Sequence, residues 1–331
     1  MPRLSGQGGS AKEVVSIIAK SIAGRIISTP FKKSSKFSKK SIKLFRQIIE
    51  SQSVNASKPF FIFINFLEAH EIYRPPLRSR QFSRWFDRQP FPITNFWKPG
   101  YHRHKNKLSM FANLYDDEIY FLDQVIMEIW NICKKNKILD QTVFIITSDH
   151  GEHLGEKDLY EHQLSLYNEL IWVPIIIHFP KYYAANGEES RLAMVNDLYA
   201  TILDLADSPM PRPPTSLSLL GNSKREFALA QIISEKLWEK DLMGITQSRG
   251  AVFSPPALAL MTAGGMKIIE RRDGRYEIYD LNRDRDEGVD LAPNLRREIL
   301  ENYHTLMEFY KEDNAYCLSS ENVMLEEFKQ A

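Results

Sequence analysis

Asp149 and His150 stand side by side at the end of an apolar, β-branched run, Thr142-Val143-Phe144-Ile145-Ile146-Thr147, and Gly151-Glu152 follow them. On an extended chain, neighbouring side chains diverge. Both can face one ion only if the backbone turns, and Gly151 permits such a turn. A carboxylate oxygen with an imidazole nitrogen suits Ca²⁺, Mg²⁺, Mn²⁺ or Zn²⁺, and two ligands do not choose among them. A lone Asp-His after a strand also reads as a helix cap with a solvated imidazole, because Asp is a favoured N-cap. The neighbours argue for chemistry. His153 and His162 follow closely, then Leu166-Tyr167-Asn168-Glu169 and a second apolar run, Trp172-Val173-Pro174-Ile175-Ile176-Ile177. A further imidazole, His70, lies just past another apolar stretch, in Leu67-Glu68-Ala69-His70.

Strands must present these groups. Residues 142–147 predict a short buried strand whose carboxyl end carries Asp149 and His150, where ligands bind in open α/β sheets. Residues 172–177 predict a second buried strand. Lys58-Pro59-Phe60-Phe61-Ile62-Phe63-Ile64-Asn65-Phe66 is near-continuously apolar without alternation, the pattern of a strand buried on both faces. Between them, Leu114, Ile119, Leu122, Val125, Ile126, Ile129 and Ile132 form an apolar stripe, predicting one long helix over 108–137. Asp123, mid-helix, is expected to bond a neighbouring loop rather than to act as an acid. Residues 77–107, rich in Arg, Pro and aromatics, read as an ordered surface loop or the rim of a site for an anionic or sugar-like ligand.

The flanks are plainer. Residues 1–10 are small and flexible, and Val14, Val15, Ile18, Ile22 and Ile26 predict an amphipathic helix. Residues 25–46 are basic and carry no acid, which reads as a solvated linker entering a helix at 41–51. The prolines at 209–214 break the chain before a smaller part. There, residues 263–269 and 276–281 predict two strands joined at Asp273-Gly274. With 331 residues, 43% hydrophobic and 11% aromatic, the chain can bury a sizeable core. A net charge of +1 gives no bulk attraction to nucleic acid or to a membrane surface. Cys133 and Cys317, far apart, form no CxxC site. No apolar run reaches the ~18 residues of a membrane helix. With no signal-peptide core, the expected location is cytoplasmic.

Taken together, Ser148-Asp149-His150-Gly151-Glu152-His153-Leu154-Gly155-Glu156, His162, Leu166-Tyr167-Asn168-Glu169 and Val173-Pro174 resemble the later signature of the sulfatases. These are members of the alkaline-phosphatase superfamily, related to the phosphonate monoester hydrolases. The run ending at His70, with Tyr73 and Pro76, resembles the sulfatase segment that brings a histidine to the leaving-group oxygen, with Glu71 in place of the usual proline. Tyr115, Ile119 and Asp123, Asp197 and Thr201, and the hairpin with Asp284 and Glu287 extend the likeness over about 58–293.

The resemblance implies an α/β fold with a central sheet flanked by helices and a small C-terminal β-hairpin subdomain. It implies hydrolysis of sulfate esters, with phosphate or phosphonate esters as relatives, at a divalent metal, Ca²⁺ or Mg²⁺ ahead of Mn²⁺. Asp149 and His150 would be metal ligands. His70 and His162 would be catalytic and substrate-binding, His162 standing where the family usually has lysine. The family's paired aspartates and its Cys-x-Pro-x-Arg or Ser-x-Pro-x-Arg nucleophile segment are not found ahead of residue 58. The fold is therefore expected to be incomplete at its N-terminus, with an unpaired sheet edge or a helix in the gap. The expected parts are a basic segment (1–57), an α/β core (58–208) and a C-terminal part with hairpin and terminal helix (209–331). The expected partners are a small anionic ester and a companion N-terminal polypeptide or an oligomer. The other reading is a non-catalytic relative that binds an anion or a protein partner.

Overall fold

Ile42, Phe45 and Ile49 recur at helical spacing, and they form the buried stripe of helix α1, Ser35–Gln52. In the computed structural model of the chain, residues 35–52, 59–70, 72–88, 107–162, 165–181, 187–213, 215–222, 224–232 and 256–294 are described. The predicted N-terminal and C-terminal helices, most of the 77–107 rim, Glu71 and Cys317 lie outside them. Two compact units result, Met1–Ile93 with Lys105–Thr142, and Thr94–His104 with Val143–Ala331.

In the first unit α1 begins earlier than the expected position 41. Its opening Ser-Lys-Phe-Ser-Lys-Lys contains no Gly or Pro, and lysine is a good helix former, so nothing stops the helix there. α1 packs on helix α2, Leu108–Lys135, which buries Phe111, Leu114, Phe121, Val125, Ile129 and Ile132. Arg46 on α1 bonds Glu128 on α2 at 3.0 Å. Two expectations for this helix need correcting. Ile119 is 43% exposed, and Asp123 is exposed rather than bonded to a loop in the role expected of it. The loop-binding acids are the adjacent Asp117 and Glu118, both wholly buried. Asp117 accepts the backbone N–H groups of Gln81, Phe82 and Ser83 at 2.6, 3.0 and 3.0 Å. Glu118 accepts that of Arg74 at 2.7 Å.

Residues 59–67 join no ladder among the described residues, and from Phe61 to Leu67 their side chains alternate between exposed and half-buried. Phe63 is 77% exposed. The strand expected to be buried on both faces is thus corrected. Apolar, β-branched composition suits a strand, but burying both faces requires packed layers and ladder partners as well.

In the second unit β1, Phe144–Thr147, pairs antiparallel with β4, Ile175–His178, with Thr147 opposite Ile175. Both are half-buried rather than fully buried, and Ile176 is 57% exposed. Between them lie the two-residue strands β2, His153–Leu154, and β3, Tyr160–Glu161, and the single-turn helix α3, Asn168–Ile171. Helix α4, Asp197–Leu205, follows. The C-terminal hairpin is part of something larger. β5 (Phe227–Gln231), β6 (Pro256–Thr262), β7 (Met266–Arg271) and β8 (Tyr276–Asp280) form one four-stranded antiparallel sheet. The predicted turn closes it, with Gly274 at φ 80°, open to glycine without strain. One face buries Leu258, Leu260, Ile268 and Ile278. The other packs Ala259, Ile269 and Tyr279 against Leu166, Tyr167 and Ile171. The sheet is therefore the floor under α3. No helix among the described residues is long and apolar enough to cross a membrane.

Candidate functional site

The backbone bends at Asp149, and Gly151, expected to make the turn, takes no positive φ and serves a close approach instead. Its N–H donates to the Leu170 carbonyl at 2.7 Å, and a Cβ at this position would lie 2.0 Å from the Glu169 carbonyl oxygen. Only glycine lets α3 approach so closely. Ser148 Oγ donates to the His150 carbonyl at 2.6 Å, and the His150 N–H to Asp149 Oδ1 at 3.1 Å.

His150 Nδ1 lies 2.8 Å from the Gly151 carbonyl oxygen. A carbonyl only accepts, so Nδ1 carries the hydrogen, and in the neutral ring the lone pair is on Nε2. That Nε2 stands 3.9 Å from Asp149 Oδ2, and the Asp149 side chain is 83% exposed. Two donors held by one ion at 2.0–2.6 Å lie roughly 3–5 Å apart, so this pair fits a shared divalent cation. A histidine ligand fixed through its other ring nitrogen is the usual arrangement around a metal. Among the described residues no group of three or more His, Cys, Asp or Glu gathers for a metal, so these two are a partial set.

His162 stacks on His150, ring centroids 4.5 Å apart and planes at 24°, and its Nδ1 lies 3.3 Å from Glu152 Oε1. His153 is different. It is wholly buried, its Nε2 lies 2.8 Å from Ser165 Oγ, and burial pushes its pKa down to about 4. It belongs to the core, edge-on to Tyr167, and not with the other two histidines. His70 is exposed, follows the 59–67 segment, and belongs to the first unit, whereas Asp149, His150 and His162 belong to the second. A small cavity of about 160 Å³ in the second unit, lined by Arg225, Asn196, Thr215 and apolar neighbours, touches none of these four residues.

Sequence reasoning named Asn168 and Glu287 only as positions of the resemblance and gave neither them nor Lys267 a part in holding the loop. Asn168 has every polar group engaged. Its N–H donates to Glu287 at 2.8 Å and its Nδ2 to the Arg285 carbonyl at 3.0 Å. Its Oδ1 accepts from Lys267 at 2.9 Å, and its carbonyl from the Trp172 N–H at 2.9 Å. A lysine between Met266 and Ile268-Ile269 on a strand was the available signal, since such a charge needs a buried partner.

A family model described as Sulfatase matches residues 23–208, more than half of the chain. Arylsulfatase K of Rattus norvegicus is 30% identical over 175 residues, covering 51% of this chain and 30% of the relative. An N-acetylglucosamine-6-O-sulfatase of Bacteroides thetaiotaomicron is 30% identical over 113 residues, 34% of this chain and 20% of that one. A solved 2-O GAG sulfatase superposes with a TM-score of 0.56 at 14% identity, covering 87% of this chain and 67% of the other. A protein solved with its substrate D-glucosamine-2-N,6-O-disulfate gives 0.51 at 22% identity, covering 63% and 41%. The fold is the α/β fold of the sulfatase-like hydrolases. The chain belongs to the sulfatase family. It spans about a third of the length of the first curated relatives it matches.

Proposed function

We propose that this chain forms part of a sulfatase-type hydrolase of sulfate esters, with phosphate or phosphonate esters as related substrates. The observation that carries the reading is the fixed His150 ring, whose Nε2 lone pair faces Asp149 while His162 stacks alongside. Asp149 and His150 would hold a divalent cation, Ca²⁺ or Mg²⁺ ahead of Mn²⁺. The bound cation supplies positive charge against the ester's sulfate oxygens. His162 donates to one of those oxygens, its ring set by Glu152. By the resemblance, His70 would give the leaving-group oxygen its proton as the S–O bond breaks.

The nucleophile and the remaining metal ligands belong, in this proposal, to a companion N-terminal polypeptide. Neither a Cys-x-Pro-x-Arg nor a Ser-x-Pro-x-Arg segment occurs in these 331 residues. The exposed apolar segment with Phe60, Phe61, Phe63 and Leu67 supports a partner there, and equally supports the second reading, a non-catalytic relative that binds a protein. The deciding experiment titrates the purified chain with Ca²⁺, Mg²⁺ and Mn²⁺ and assays an aryl sulfate, with and without an N-terminal fragment bearing Cys-x-Pro-x-Arg. Metal binding that tightens with the fragment, together with hydrolysis, is the expected result. Absence of both in either condition overturns it.

A further inference from the structure

The loop that carries Asp149 and His150 is not held by its own strand alone. Its Gly151 N–H is anchored on the Leu170 carbonyl of α3. A helix of one turn has little stability of its own, so α3 must be fixed from below. The C-terminal sheet does this at two places. Glu277 accepts the Tyr167 hydroxyl at 2.7 Å and is itself bound by Arg271 at 2.5 Å and by the Tyr279 hydroxyl at 2.9 Å. One residue on, Lys267 of β7 and Glu287 beyond β8 pair at 2.5 Å, neither side chain exposed, and between them take the Oδ1 and N–H of Asn168. Lys157 closes the ring, at 3.0 Å from Glu169, 3.8 Å from Glu287 and 2.7 Å from the Asp286 carbonyl. Lys157 and Glu287 both stand at φ 53°, a left-handed backbone that non-glycine residues adopt only when their surroundings fix it.

We infer that the buried Lys267–Glu287 pair is a positioning device: through Asn168 it sets α3, and through the Leu170–Gly151 bond it sets the turn that aims Asp149 and His150. An ion pair sealed from water is a weak way to gain stability, since well-packed apolar side chains commonly serve as well or better. Its use here is directional. Lysine donates to the side chain of Asn168 and glutamate accepts its backbone N–H, which a methionine and a leucine cannot do. That the aimed groups hold a cation rests on the functional reading above. That the pair sets the turn does not.

The test follows hydrogen exchange at the Gly151 amide, alongside the melting temperature and Mn²⁺ affinity, in the full chain. Lys267→Met and Glu287→Gln each leave a buried partner unmatched, and both should lower the melting temperature and speed Gly151 exchange. Lys267→Met with Glu287→Leu removes both charges. It should melt close to the unchanged chain while Gly151 still exchanges about tenfold faster. Asn168→Leu, which leaves the ion pair intact, should show the same acceleration with the β7 amides unmoved, and it decides the matter if the double variant does not fold. Mn²⁺ affinity should fall about tenfold or more in each variant. Normal Gly151 protection in the double variant, or in Asn168→Leu, overturns the inference. If the unchanged chain binds no Mn²⁺ while the exchange pattern holds, the positioning stands and the metal reading falls.

Discussion

Each unit buries an ionisable side chain, and the two are opposite in electrical kind. In the first unit Glu118 takes the Arg74 N–H, and burial pushes its carboxyl up to about 8 from an ordinary 4.5. In the second, His153 lies against Ser165 and Tyr167, and burial pushes its imidazole down to about 4. Both environments favour the neutral form, which for an acid means keeping a proton and for a base means losing one. Rising pH therefore works against folding at Glu118 and in favour of it at His153. The lesson is that desolvation acts alike on both groups while its consequence for stability changes sign with the chemistry of the group.

The comparison breaks first, and most severely, at the close approach that only the second unit contains. Gly151→Ala sets a Cβ 2.0 Å from a backbone carbonyl, which no rotamer change relieves. The expected outcome is a loss of roughly 3 kcal/mol or more in chemical denaturation, with the Gly151–Leu170 bond lost. The first unit offers the next largest effect. Between pH 4.5 and 8 the folded state holds a proton on Glu118 that the unfolded chain releases, so rising pH favours unfolding there. Glu118→Gln keeps an acceptor for Arg74 and removes the titration. At pH 8.5 it should leave α2 more stable than the unchanged chain by roughly 3 kcal/mol, and nearly equal at pH 4.5, read from exchange of buried α2 amides.

The second unit should slope the other way. Between pH 4 and 6.5 the unfolded chain binds a proton at His153 that the folded state refuses, so stability rises with pH across that window, and the contribution is fully lost once acid has passed 4. His153→Gln retains a partner for Ser165 and flattens the rise, a difference of roughly 2 kcal/mol between pH 4.5 and 7 at the β7 amides. An equal slope in both units would end the contrast.

The same physics decides what could be read from the residues alone. The site's first two groups were legible because Asp149, His150 and Gly151 are contiguous and end a β-branched run, so local chemistry and local geometry coincide. The long helix was legible from its period. The four-stranded sheet was half legible: Asp273-Gly274 marks a turn, but β5 and β6 carry short Ala-rich runs without alternation, and Lys267 looks like a surface residue until Glu287 is beside it. Pairings such as Lys267 with Asn168, or Asp117 with Gln81, join residues far apart in the chain, and no spacing rule reports them. The 59–67 segment failed for the complementary reason. Its composition states what it is suited to pair with, and pairing is a property of two strands.

That segment supplies the smallest effect and the sharpest contrast with β1. Phe63 is 77% exposed, whereas Phe144 is half-buried and paired across from His178. An exposed phenylalanine removes little apolar surface from water on folding, so Phe63→Ser should change the stability of the isolated chain by no more than about 0.5 kcal/mol in urea. The same change should raise the concentration at which the chain begins to aggregate, measured by light scattering, because it puts a hydroxyl on an apolar segment with no ladder partner among the described residues. A loss of several kcal/mol instead would mean that the segment is already covered in solution, and the two apolar runs would then differ in partner rather than in exposure.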